Sequence, residues 1–182
     1  MLYSYYRKLD PVRLPAYRGL DVYMQEFDLA SPSLPSALAD YEEPVKKLCS
    51  SALAIVGTAY LTIDEKIVKA GMSQRRPGPH VDGRFENGGW KHGPKWVHND
   101  QQRTAVIVAA SVPGCRVWQG EFDGMPSECG DLDHIDDQLA FARNRVLKAN
   151  HGYWLSPDCV HESMIFKTDT QRQFMRIALP CL

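Results

Sequence analysis

In the segment GPHVDGRF, His80 and Asp82 stand two residues apart, immediately ahead of a glycine. On an extended chain such a pair projects to the same side, about 6.6 Å apart along the strand, so both can reach one cation. His80 offers a neutral imidazole nitrogen and Asp82 a hard carboxylate oxygen, and Gly83 lets the backbone turn away directly after them. Alone, a His-x-Asp triplet is a weak signal. It gains weight from His161, which follows a short strand-like run and a Ser-Pro-Asp turn in GYWLSPDCVHESMIF. Entering from another strand, this histidine would complete two imidazoles and one carboxylate on one face of a metal, with the opposite positions open. Such a donor set suits a non-haem Fe(II) ion.

Arg172 and Arg176 lie further on, in RQFMRIAL. They share strand parity with each other and with Phe174 and Ala178, so if one faces the interior the other does too. A buried guanidinium needs an anionic partner, and its planar fork matches a carboxylate bidentately. A dicarboxylate co-substrate would supply that partner.

The segments that must position these residues read mostly as strands: 59–68, 70–75, 104–112, 115–122, 152–156, 160–166 and 172–179. They are rich in β-branched and aromatic residues, bounded by Gly, Pro or Asp, and too closely spaced for crossover helices, which argues for antiparallel β. A helix is expected from Ser36 to about Val56, where Leu38, Tyr41, Val45, Leu48, Leu53 and Ile55 keep a roughly helical spacing and SPSLPS supplies an N-cap. Another begins at Asp136, with Leu139, Ala142 and Val146 on one stripe, although RVLKA at 145–149 reads equally as a strand. Residues 1–35 show aromatics and prolines without a sustained period. The stretch 83–103 reads as a long loop, and loops of that length are usually functional or disordered.

With the residues in this order, the chain resembles the Fe(II)- and 2-oxoglutarate-dependent dioxygenases. The resemblance covers about residues 58–180 and rests on PHVDG, SPDCVHES and an arginine in RQFMRIALP, with VLKANHGYWLSPDCVHES matching the family's strand, glycine turn, strand and pre-histidine turn. It implies a mainly β fold with flanking helices around a double-stranded β-helix, or jelly-roll, core over 58–180. Residues 1–57 would then form helical or irregular support within a single domain spanning 1–182. It further implies His80, Asp82 and His161 as ligands of Fe(II), with 2-oxoglutarate decarboxylated to succinate while a substrate is hydroxylated. Arg172 or Arg176 would hold the distal carboxylate. Arg176 is favoured by its RIALP context and Arg172 by its interval from His161. Tyr60 could offer its hydroxyl to the co-substrate, or could sit in the core with that hydroxyl at the rim.

Two other readings compete. A cupin-like metal enzyme without 2-oxoglutarate would share the barrel, but its G-x5-H-x-H-x3-4-E block is missing. A non-catalytic β-barrel binding protein would leave the three ligands as rim polar groups. Arg76, just before the His-Asp pair, is expected at the pocket, while the wider basic set of Arg75, Arg84, Lys91, Lys95 and Arg103 reads by default as a solvated face. Trp90 and Trp96 would either close a lid over substrate or pack the loop down. His92, His98, His134 and His151 are expected in loops without metal.

Bulk composition bounds the rest. At 182 residues, 44% apolar and 24% charged, the chain has room for one well-packed core. A net charge of −1 provides no global field toward nucleic acid or an anionic membrane, so a small-molecule or peptide substrate is expected. The five cysteines include no C-x-x-C pair and read as reduced, mostly buried thiols. MLYSYYRKLD lacks a following apolar run, so a cytoplasmic location is expected.

Overall fold

A computed structural model describes residues 1–51, 56–82, 105–127 and 130–180. Within them the chain is mainly β, with a jelly-roll-like pair of antiparallel sheets and short flanking helices. The strands are β1 (Leu2–Ser4), β2 (Tyr6–Pro11), β3 (Asp21–Asp28), β4 (Thr58–Val68), β5 (Val106–Ala110), β6 (Cys115–Phe122), β7 (Arg143–Val146), β8 (His151–Leu155), β9 (His161–Ser163) and β10 (Thr170–Ala178). The helices are α1 (Ala39–Ser51) and α2 (Asp136–Phe141). The larger sheet runs β2-β8-β5-β10-β4-β3, and the smaller runs β1-β6-β7 with β9 also paired to β6.

Period-two alternation sorts the larger sheet into two faces. On β10, Met175 and Ile177 point outward, and on β4 so do Ala59, Leu61 and Ile63. Against them lies the apolar stripe of α1, where Tyr41, Val45 and Leu48 are completely buried. Each such side chain contributes roughly 1.5–3 kcal/mol by burial. Opposite, Val106, Val108, Phe174 and Ala178 meet Val117 of β6, so the second core lies between the sheets. Trp118 and Phe122 on the far face of the small sheet pack with Leu139 of α2. The layers are thus helix, sheet, sheet, helix.

One buried carboxylate ties the outer layer together. Glu65 Oε1 accepts hydrogen bonds from the Tyr41 hydroxyl (2.6 Å) and Gln173 Nε2 (2.9 Å), and Oε2 accepts from the backbone N–H groups of Arg18 (2.6 Å) and Leu20 (3.1 Å). Helix α1, strands β4 and β10, and the segment before β3 therefore share one acceptor.

Several expectations are corrected. Residues 1–57 are not merely helical or irregular support, since β2 and β3 form the two edges of the large sheet and β1 joins the small one. Edge strands bury little: of β2 only Leu9 is buried, which erases the alternation a sequence reading depends on. Residues 70–75 form a turn around Gly71 (φ +81°) with a single bridge from Ser73 to Ile165, not a strand. The first helix begins with a 3-10 turn at Ser36–Leu38 that has no side-chain cap, and Leu53 and Ile55 lie outside the described residues. The second helix stops at Phe141 because Arg143–Val146 pairs with β6 as a strand instead.

Candidate metal centre

His80 and His161 are held face to face by the backbone. Each donates its N–H to the other's carbonyl at 2.9 Å, as in a closely hydrogen-bonded antiparallel pair. His161 opens β9, whereas His80 belongs to a bridge outside the named strands. The next residue is fixed from the other side, where Val81 N–H donates to the Gly130 carbonyl at 3.0 Å. Gly130 has φ +87°, and a Cβ there would stand 2.5 Å from the Val81 oxygen, so only glycine fits without displacing the segment between His80 and Asp82.

The imidazoles are oriented alike. His80 Nδ1 lies 2.8 Å from the Gly78 carbonyl and His161 Nδ1 lies 2.9 Å from the Cys159 carbonyl. A carbonyl only accepts, so Nδ1 carries the proton in each ring and Nε2 presents its lone pair. Carbonyl partners of this kind fix the tautomer of metal-binding histidines. The ring centroids are 4.4 Å apart, and His161 Nε2 is 3.9 Å from Asp82 Oδ1. One ligand atom from each of His80, Asp82 and His161 lies within 4.8 Å of the others.

Protonation agrees with that donor set. Burial, and then the neighbouring His161, hold His80 well below the ordinary imidazole value, so it is neutral. For Asp82 burial acts to raise the pKa, but the Arg176 guanidinium outweighs it and the carboxyl is held low. Arg176 NH1 is 3.2 Å from Asp82 Oδ1. The Nε2 atoms of two imidazoles and one carboxylate oxygen converge on a point, and this fits a divalent ion with an open face.

The three residues border a cavity of about 410 Å³ between the sheets. Arg172 and Arg176 both line it, as their parity requires, on either side of Phe174. Arg176 is committed to Asp82. Arg172, buried among Phe166 and Phe174, donates from Nε to the Val112 carbonyl at 2.8 Å and from NH1 to Gln74 Oε1. Burial pushes its guanidinium down to about 10, against the opposing influence of Cys115 and Asp64. Arg76 lines the cavity, with NH1 3.5 Å from Asp131 and NH2 donating to the Val81 carbonyl at 3.2 Å.

Tyr60 falls elsewhere. It faces inward on β4 opposite Ala178, but it does not line this cavity, and its hydroxyl bonds Glu26. Trp90 and Trp96 lie outside the described residues, as do Arg84, Lys91, Lys95, Arg103, His92 and His98. Of the basic set read as a solvated face, Arg75 lines the cavity.

Other lining residues escaped the sequence reading. Tyr23 reaches the cavity from β3, where the register slips between Val22 and Gln25 and Met24 takes φ +59°. A bulge re-aims a side chain in this way, and no local sequence signal announces this one. Gln74 is there because Arg172 needs an acceptor, and Cys115 because β6 begins at the cavity wall. Burial pushes the Cys115 thiol up to about 12, so it stays protonated and is a poor ligand. Cys49, Cys115 and Cys159 are free thiols.

No protein-family profile matches the chain, and no curated protein does. Among solved structures, one described as the apo form of ThoJ, a non-heme monooxygenase, aligns at 20% identity with a TM-score of 0.42. The alignment covers 79% of this chain and 55% of that one, so the chain spans about half the length of the structure it matches. Among the described residues no helix is long and apolar enough to cross a membrane.

Proposed function

We propose that the protein is a non-haem Fe(II) oxygenase, with 2-oxoglutarate as co-substrate and a small molecule or a peptide side chain as the group hydroxylated. The observation that carries this reading is the convergence of His80, Asp82 and His161 within 4.8 Å at the wall of a cavity. His80 and His161 would bind the ion through Nε2 and Asp82 through a carboxylate oxygen. The ion would supply dioxygen activation. The chain's part is to hold both imidazoles through the Gly78 and Cys159 carbonyls, to keep Asp82 ionised through Arg176, and to enclose the reaction in the cavity between the two sheets.

The same geometry supports Arg172 rather than Arg176 as the group that takes the distal carboxylate. Arg176 NH1 already bonds Asp82, whereas the hydrogen-bond acceptors described for Arg172 are a carbonyl and an amide, both neutral. A dianion at Arg172 would therefore meet a guanidinium that has its positive charge to share.

Anaerobic titration with Fe(II) and 2-oxoglutarate tests the reading. The expected result is a weak visible charge-transfer band that His161→Ala abolishes, with succinate formed on admitting air. Arg172→Gln should raise the 2-oxoglutarate requirement at least tenfold and leave Fe(II) binding in place. Absence of both band and succinate sinks the oxygenase reading. Iron binding with no response to 2-oxoglutarate removes the co-substrate and leaves a metal enzyme of another kind.

A further inference from the structure

The described lining of the cavity carries charge of one dominant sign. Arg75, Arg76, Arg172 and Arg176 face it against Asp82 and Glu162, so four guanidiniums against two carboxylates leave a surplus of two positive charges. The nearest partners behind the lining do not remove it, because Asp64 and Asp131, which pair with Arg75 and Arg76, are balanced in number by Lys66, which pairs with Asp64, and Arg116, which pairs with Glu162. In the proposed enzyme a divalent ion and a 2-oxo dicarboxylate cancel one another. The surplus therefore persists in the loaded site.

Its location is specific. Arg75 and Arg172 both stand against the Phe174 ring, at 5.8 and 5.5 Å from its centroid, so two like charges share one aromatic side chain. Asp64 offsets only one of two neighbouring cations, since it is shared between Arg75 at 3.6 Å and Lys66 at 3.0 Å. The side chains of Arg75 and Arg76 are 34% and 36% exposed, so both reach the water boundary of the cavity. A cleft with cationic walls of low dielectric concentrates anions.

We propose, on the basis of the oxygenase reading above, that the substrate carries a carboxylate or phosphate group, received by Arg75 and Arg76 at the outer part of the cavity. Arg172 is left to the co-substrate. The reacting carbon then lies on the side of the substrate that faces His80, Asp82 and His161, and a cationic molecule of the same size is disfavoured by the net positive charge of the lining.

Calorimetric titration without turnover tests this. Inorganic phosphate, acetate and glycerol are each added to the full chain, first metal-free and then loaded with Mn(II) and 2-oxoglutarate. At least one anion should bind in both states, the tighter one naming the group, while glycerol should not. The double variant Arg75→Gln/Arg76→Gln should weaken that anion tenfold or more, and Arg75→Lys/Arg76→Lys should recover part of the loss. Both arginines are partly exposed, and a melting curve verifies that each variant is folded. The proposal is overturned if neither anion binds, if the Gln variant binds as tightly as wild type, or if 2-oxoglutarate displaces the anion. Mn(II) binding is read separately in the same samples. Anion binding without Mn(II) binding would remove the metal reading and leave the anion site standing.

Discussion

At the scale of single residues, the pair Asp82–Arg176 decides how the centre behaves before and after it takes up an ion. The carboxylate is largely buried and the guanidinium more so, so each depends on the other for its charge. Removing one partner of a buried pair leaves an uncompensated charge, at a cost of about 3–5 kcal/mol. Arg176→Leu should therefore destabilise metal-free protein by that order. In protein saturated with Mn(II) the ion itself faces Asp82, and the loss should be clearly smaller. Denaturant unfolding of wild type and variant in both states measures the difference. Equal losses with and without metal would mean that Asp82 does not face the ion.

At the scale of elements, what was legible in the sequence is what alternates or turns visibly. Strands β4, β5, β6, β8 and β10 lie near their expected limits because each has a strong apolar face or a β-branched run. The arginine pair on β10 was readable as a matter of parity, and so was the common direction of His80 and Asp82. Less accessible were features imposed by partners far away in the chain. Tyr23 enters the cavity through a bulge, Gln74 through its bond to Arg172, and the edges β2 and β3 through pairing with strands far downstream, β8 and β4. Glu65 is of the same kind, an acidic residue in an apolar strand whose purpose appears only once α1 and β10 are in place. Burial acts to raise its pKa, but hydrogen bonds from Tyr41, Gln173 and the N–H groups of Arg18 and Leu20 win, and the carboxyl titrates below its ordinary 4.5. A depressed folded value means that the stability it contributes is full above the unfolded pKa and is lost as pH falls through the folded one. Glu65→Gln turns an amide N–H toward existing donors and should cost about 1–3 kcal/mol at neutral pH. The gap between wild type and variant should hold constant above pH 4.5 and close below it. A gap that widened in acid would contradict the assignment.

At the scale of the whole molecule, the centre is a joint between layers rather than a feature of one sheet. His161 belongs to β9 in the small sheet, Arg176 to β10 in the middle of the large one, and Asp82 touches both. An ion held by the triad would therefore strengthen the contact between the two sheets, and it would bind the folded chain in preference to the unfolded one. Linkage sets the size of the effect: at a hundredfold excess over Kd the folded state gains about 2.7 kcal/mol. In a chain of this length each kcal/mol moves the melting temperature by roughly 2–4 °C. Fe(II) under argon, or Mn(II) in air, should then raise Tm by about 5–10 °C. The variant His161→Ala should lose that response while keeping the mutual backbone hydrogen bonds of residues 80 and 161, which do not involve the side chain. Adventitious binding at exposed carboxylates would instead give the variant the same shift as wild type, and the His80, Asp82 and His161 cluster would then be a polar contact between sheets and not a metal centre.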